Sequence, residues 1–268
     1  MHHNPERPGP PPSADEGVVL YEKRDRVAYV TINRPDARNA VNGDVANGMA
    51  EALDRLDSED DLRVGIVTGA GGHFSAGMDL KAFMQGQSPY AGDRGFAGIA
   101  QRSSRKPLIA AVEGFALAGG FEIALSCDLI VASREARFGI PEVKRSLVAA
   151  AGALLRLPKR IPYHLAMELA LTGEPIDADR AREIGIVNRL AEPGTALDTA
   201  IELAQQIVKN APLALIASKE IVQKAVDWSE EEGWAKQGEI SGPVFTSEDA
   251  REGATAFAEK REPVWQGR

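Results

Sequence analysis

Between residues 108 and 132 the chain carries its most apolar stretch, and three charges inside it decide what it can become. Glu113, Glu122 and Asp128 interrupt the run too often for a membrane span. What remains divides into a strand-like run at 108–112, a glycine-shaped loop, a short helix at 119–125 and another strand at 129–132. That rhythm of strand, loop, helix and strand favours an α/β core with a partly parallel sheet.

The flanking sequence extends the pattern. Residues 1–16 hold Pro5, Pro8, Pro10, Pro11 and Pro12 with little apolar content, and read as a Pro-rich disordered arm. Strand-like runs follow at 18–21 and 27–32, separated by the charged turn 22–26. Val45, Met49, Ala52, Leu53 and Leu56 recur at helical spacing and predict a helix over 43–56. A buried strand at 64–68 runs into the glycine cluster Gly69, Gly71 and Gly72. From about residue 150 the signals turn helical, at 150–157, 163–171, 178–184, 196–209, 213–225 and 249–260. Pro158, Pro162, Pro175, Pro193 and Pro212 mark the breaks. An α/β body followed by a helical C-terminal part is the expected organisation.

Bulk properties narrow the partners. The net charge of −8 gives no reason to expect nucleic acid. An acidic chain still binds a phosphate-bearing ligand through a local basic patch. One cysteine, Cys127, permits no intramolecular disulfide and fits a reducing compartment. The first residues lack the pattern of a secretory leader, so a cytoplasmic protein away from membranes is expected.

Several chemistries fall away on the residues themselves. The cluster Gly69-x-Gly71 would need glycine at position 74 for a dinucleotide fingerprint, and Phe74 stands there. His73 and Asp79 have no further ligands at metal spacing, so they read as a loop histidine and a turn-capping aspartate. Cys127 has no nearby histidine to activate it and reads as a buried structural thiol. Ser75 lacks the surroundings of a nucleophile elbow.

Two glutamates survive this pruning. Glu122 closes the run from Gly114 to Phe121, and Glu142 follows Phe138-Gly139-Ile140-Pro141. A carboxylate in apolar surroundings is costly to bury, so it is paired, exposed or functional. Pairing with Lys144 or Arg145 is the bland alternative. The loop Phe74-Ser75-Ala76-Gly77-Met78-Asp79-Leu80 and the Gly119-Gly120 helix start both leave backbone N–H groups accessible. Brought together, two such donors make an oxyanion hole, and two carboxyls beside it make a general acid/base pair.

The stretch from Ile109 to Leu129 closely resembles the signature of the enoyl-CoA hydratase/isomerase (crotonase) family. Ile32-Asn33-Arg34-Pro35, the loop ending at Leu80, Phe138-Gly139-Ile140-Pro141-Glu142, Leu171-Thr172-Gly173 and the segment Phe257-Ala258-Glu259-Lys260-Arg261 resemble the family's other motifs in the same order. The resemblance implies a crotonase-like spiral of ββα units over 17–200 and a helical C-terminal trimerisation region over 201–268. It implies a homotrimer or a hexamer built as a dimer of trimers.

It also implies a chemistry. The substrate would be an acyl-CoA thioester, with coenzyme A part of the substrate and no separate cofactor or metal. The backbone N–H groups of Met78 and Gly119 would hold the thioester oxygen. Glu122 would be the base-like partner and Glu142 the proton donor in reversible addition of water to a 2-enoyl-CoA. Ser75, Ala76, Asp79 and Leu80 would lie along the substrate, and Phe257 and Lys260 would meet coenzyme A from a neighbouring subunit. Retention of both glutamates points to a hydratase or the reverse dehydratase. Alternatives are an enoyl-CoA double-bond isomerase, a carnitinyl-CoA-type dehydratase and, in another class, a non-catalytic acyl-CoA-binding protein. After Glu142 the family's Gly/Pro-rich loop is replaced by residues 143–153, where the Ala150 N–H is available to hold water. That departure leaves acyl chain length, branching and stereochemistry open.

Overall fold

The structure is a computed structural model that describes residues 17–268; the expected Pro-rich arm lies outside the described residues. A hairpin opens it. Strand β1 (Val19–Arg24) pairs antiparallel with β2 (Val27–Ile32), so the predicted turn shrinks to Asp25 and Arg26, both at positive φ. Helix α1 (Gly43–Ser58) follows, with the Asn42 side chain accepting from the Val45 N–H as its cap. Strand β3 (Val64–Gly69) leads through the glycine cluster to the short helix α2 (Leu80–Met84) and the two-residue strands β4 (Tyr90–Ala91) and β5 (Gly95–Phe96).

The apolar stretch then makes the pattern that defines the fold. Strand β6 (Leu108–Val112) lies in the main sheet and β7 (Phe115–Leu117) turns into a second sheet. Helix α3 (Gly119–Ser126) carries the chain back. The next unit repeats this, with β8 (Leu129–Ser133) in the main sheet and β9 (Arg137–Gly139) in the second. The same step is sketched after β3, where Ser75 bridges in parallel to Ala116. Successive ββ turns thus wind into a spiral.

Helices α4 (Ala153–Arg160) and α5 (Tyr163–Thr172), strand β10 (Ile176–Asp177), helix α6 (Ala178–Glu183) and strand β11 (Arg189–Ala191) close the body. Helices α7 (Ala196–Val208), α8 (Pro212–Ala225), α9 (Glu230–Phe245) and α10 (Glu248–Glu259) complete the chain. The main sheet runs β1-β2-β3-β6-β8-β11, parallel from β2 onward, and the second runs β10-β9-β7.

Both faces of the main sheet are buried, as parallel strands require. Along β2, β3, β6 and β8, Val27, Val64, Ile66, Ile109, Ala111 and Val131 face α7. Ala196, Ala200 and Ala204 give α7 a small-residue stripe that lets it lie close to them. The alternate residues Ala28, Val30, Val67, Ala110 and Ile130 face the larger core that holds α1 and α3. The expected boundary at 200/201 falls inside α7. Helix α8 is tied to the body by Lys219, whose ammonium meets Asp128 at 2.7 Å and the Lys106 carbonyl at 2.8 Å. Breaking such an enclosed pair costs about 3–5 kcal/mol, more than a surface bridge supplies.

Two expectations need correction. The helix predicted at 150–157 starts at Ala153, and Pro158 lies inside it rather than ending it. Proline forfeits one bond to the carbonyl four residues back, here that of Leu154 on an exposed face, where water can substitute. Helix α9 was not predicted at all.

Candidate active site

The two backbone donors meet because two tight segments pack against each other. Val41 donates to the Gly77 carbonyl and accepts from the Asp79 N–H, both at 2.8 Å. Alternation along this extended stretch turns the Met78 N–H to the opposite side. On the other segment Ala118 is held at φ 51° and ψ −128°, an unusual conformation for a residue with a side chain, at the start of α3. It aims the Gly119 N–H out of the helix end. Among the described residues neither the Met78 nor the Gly119 N–H donates to a protein acceptor.

The approach is close enough to require glycine. A Cβ on Gly77, which has φ +93°, would stand 2.9 Å from the Gly119 nitrogen. A Cβ on Gly120 would reach within 2.1 Å of the Ser75 carbonyl oxygen. Two free N–H groups converge here, one at a helix N-terminus with its positive potential.

Glu122 lies in the first turn of α3 and is only 3% exposed. Its Oε1 accepts from the Ala153 N–H at 3.1 Å, at the first residue of α4. Burial pushes its pKa up to about 7; the Ala153 and Ala151 N–H groups and Arg156 oppose the rise, while the charge of Glu142 adds to it. Glu142 sits in a 3-10 turn, Pro141–Arg145, and burial raises its pKa as well. The bland pairing does not occur: Lys144 meets Glu174 at 2.6 Å, and Glu142 Oε2 is buried with no partner. Glu122 is therefore poised to exchange protons near neutral pH, and the Glu142 carboxyl holds its proton more tightly than a free one. Both bind a proton more tightly folded than unfolded. The stability this gives is full below the ordinary carboxylate pKa and is lost, for Glu122, as pH rises through about 7.

The other predicted residues are distributed more widely. Ser75 is fully buried, its hydroxyl donating to the Asn39 carbonyl at 2.8 Å and accepting from the Gly77 N–H at 3.1 Å. It shapes the loop from inside. Asp79 caps α2 through the Ala82 N–H at 3.0 Å and pairs with Arg34 at 2.9 Å. Burial pushes the Asp79 carboxyl up, but the Ala82 N–H and Arg34 outweigh it and hold it below its usual value. The turn-capping reading of Asp79 is the one the geometry bears out. The Ala76 N–H donates to the Arg38 carbonyl at 3.0 Å, and Leu80 lies exposed beyond the donor loop. Phe257 and Lys260 stand at the far end of α10; Phe257 is 86% exposed, and Lys260 ends the helix at φ 54°.

His73 stacks on Phe115 with ring centroids 4.7 Å apart, and its Nδ1 accepts from the Phe115 N–H at 3.4 Å. No group of three potential metal ligands occurs among the described residues. Cys127 is buried, and burial raises its thiol to about 12. Native protein at pH 8 is expected to resist iodoacetamide at Cys127, with quantitative labelling only after unfolding, as mass spectrometry of the two samples will read. Sequence reasoning missed Ala153 and Arg156. Nothing in the sequence separates Arg156 from its neighbours Lys159 and Arg160; only the fold brings it to Glu122.

With this geometry in place, the chain belongs to the enoyl-CoA hydratase/isomerase family, whose profile matches residues 22–268. It is 45% identical over 257 residues to enoyl-CoA hydratase EchA19 of Mycobacterium tuberculosis, covering 93% of this chain and 97% of the relative. It is 44% identical over 250 residues to carnitinyl-CoA dehydratase of Salmonella agona, covering 90% of this chain and 95% of the relative. The crystal structure of an enoyl-CoA hydratase from Mycobacterium tuberculosis superposes with a TM-score of 0.93 at 58% identity, over 94% of this chain and 100% of that one. The spiral fold is thus that of the crotonase-family hydratases.

Proposed function

We propose that this protein is an enoyl-CoA hydratase, adding water reversibly across the α,β double bond of a 2-enoyl-CoA thioester. The observation that supports this reading is a pair of carboxyls whose pKa burial raises, Glu122 and Glu142, near enough for the charge of Glu142 to act on Glu122, in a fold that leaves the Met78 and Gly119 N–H groups without a protein acceptor among the described residues. Glu122 takes a proton from water as its oxygen adds to Cβ. Negative charge moves onto the thioester oxygen, where the two N–H groups stabilise it. Glu142 delivers a proton to Cα. Water addition is redox-neutral, so the scheme calls on no redox cofactor, and coenzyme A enters as part of the substrate.

Exposed apolar side chains support an oligomer. Val222 and Val226 on or just after α8, Trp234 and Phe245 on α9 and Phe257 on α10 are all exposed, and α9 buries no residue of its own. Such a set is the composition of an interface core. A homotrimer or hexamer would cover it and bring Phe257 and Lys260 of one subunit to coenzyme A in the next. Ala76 and Leu80, with Ser75 and Asp79 on the same loop, lie along the substrate in this scheme. No helix among the described residues is long and apolar enough to cross a membrane, and the enclosed free thiol of Cys127 suits a reducing, cytoplasmic setting.

The names of the relatives favour hydration over isomerisation, as does the presence of both carboxyls. A panel of 2-enoyl-CoA thioesters, followed for loss of the conjugated double bond, tests the reading. Crotonyl-CoA is expected to give 3-hydroxyacyl-CoA. A shifted double bond without water uptake would replace hydratase by isomerase, and tight binding with no turnover would leave only an acyl-CoA-binding protein. The base must be ionised to act, so kcat/KM should rise with pH through about 7, where Glu122 titrates. A rate already flat from pH 5 upward would remove Glu122 from that role.

A further inference from the structure

Arg156 lies one turn into α4, half-buried, on the side that faces Glu122. Its guanidinium donates from Nη1 to the Ala151 carbonyl at 3.3 Å and from Nη2 to the Ala100 carbonyl. It therefore fastens the turn before α4 to the segment that follows β5. Gly152, at the centre of that turn, has φ +115°, and a Cβ there would lie 1.9 Å from Arg156 Nη1. The guanidinium thus occupies the space a side chain would need. The same turn presents the Ala151 and Ala153 N–H groups to the Glu122 carboxylate.

We propose that Arg156 is a positioning residue for Glu122: it pins the Ala151–Ala153 backbone against the carboxylate, and it brings a positive charge to the helix that supplies that backbone. Both effects favour the ionised form that removes a proton from water. The proposal rests on Glu122 being the base of the site described above.

The surroundings of Glu122 leave few competing charges. Glu142, from the 3-10 turn, acts in the opposite direction. The facing strand β7 is Phe115-Ala116-Leu117 and carries no titratable group. Arg160, also on α4, donates to the Leu125 carbonyl at 2.7 Å, at the far end of α3 beside Cys127. Lys159 is exposed and paired with Asp227. Arg156 is accordingly the cation on α4 that acts on this carboxyl. Burial lowers its own pKa, yet a guanidinium starts so high that it remains charged.

The test is a titration that does not depend on turnover. Carbon-13 NMR of protein labelled at the glutamate carboxyls follows Glu122 directly, with Glu122→Gln identifying its resonance. In Arg156→Gln, which is neutral, the Glu122 midpoint should rise, by less than the roughly one pH unit that loss of a directly paired charge gives. Arg156→Lys keeps the charge but spans only one of the two carbonyls, so its midpoint should rise less than that of Arg156→Gln. The acidic limb of kcat/KM should move with each midpoint. An unmoved Glu122 midpoint in Arg156→Gln overturns the proposal, whatever happens to activity. Should that variant not fold, the neutral Arg156→Met is read in the same way, and an unmoved midpoint there overturns the proposal. If the midpoints move while wild-type protein hydrates no enoyl-CoA, the assigned reaction fails and the role of Arg156 toward Glu122 stands.

Discussion

Turnover of the Glu142→Gln variant is expected to fall at least about a hundredfold, the low end for loss of a general acid/base group, while acyl-CoA affinity changes little. The argument starts from what Glu142 does not do. Among the described residues it forms no ion pair, and its buried Oε2 has no partner. Its carboxyl ties no other segment in place, so replacing carboxyl by carboxamide removes a transferable proton without unlocking the turn. That turn is held by backbone, with Leu147 N–H donating to the Glu142 carbonyl at 3.0 Å. The binding groups, the Met78 and Gly119 N–H donors, lie on other segments and are untouched. Loss should therefore appear in kcat and not in the dissociation constant of a saturated acyl-CoA, measured by calorimetry. Wild-type-like turnover in Glu142→Gln would end its role as proton donor. A parallel loss of binding would mean that it supports the pocket instead.

The body of the fold was legible because its strands are buried on both faces and so read as short apolar runs. Strands β2, β3, β6 and β8 and helices α1, α3 and α7 fall within a residue or two of their expected places. What escaped notice was too short or too irregular to carry a period. Strands β7 and β9 have three residues each, below the length at which alternation means anything. Helix α9 contains Gly233, Gly238, Gly242 and Pro243, which mask its periodicity. Its start was nonetheless written in the chain: Ser229 and Glu232 form a capping box, the Ser229 hydroxyl accepting from the Glu232 N–H and Glu232 returning to the Ser229 N–H.

The candidate site takes its carboxylates and donors from the sequence, and the structure adds what holds them. Glu122 and Glu142 stood out because charge in an apolar run needs a reason. The loop after Glu142 offered several backbone groups, and Ala150 was the one singled out for water. The structure turns the Ala153 N–H, with Ala151 beside it, toward Glu122, since α4 begins three residues later than expected. Ser75 shows the same limit. Its place in the loop marked it as lying along the substrate, but its hydroxyl is consumed by Asn39 and Gly77. A sequence locates a functional segment; which atoms face the cavity depends on how distant segments pack.

Gly77→Ala is expected to lower kcat about a hundredfold, the scale of one lost oxyanion donor. Two separate costs act at this position. Alanine at φ +93° is strained by about 1–2 kcal/mol, a stability cost. The new methyl would also stand 2.9 Å from the Gly119 nitrogen and 3.0 Å from the Ala118 Cβ. Contacts that short force the two donor segments apart by a few tenths of an ångström. The proposed oxyanion hole lies where those segments touch, so the displacement would fall on the geometry that matters in the transition state. Gly185→Ala separates the two costs. Its φ is +90° and no atom lies within 4 Å of the added Cβ, so it carries the strain without the intrusion. Both variants should unfold a few degrees earlier than wild type, on the order of the shift about 1 kcal/mol produces in a chain this long. Only Gly77→Ala should lose turnover, with Gly185→Ala within about twofold of wild type, as a surface change far from the chemistry allows. Thermal unfolding and steady-state kinetics on crotonyl-CoA read both numbers. Equal kcat in the two alanine variants would show that the Gly77–Gly119 contact does not set the oxyanion hole, and would move the thioester oxygen elsewhere in the site.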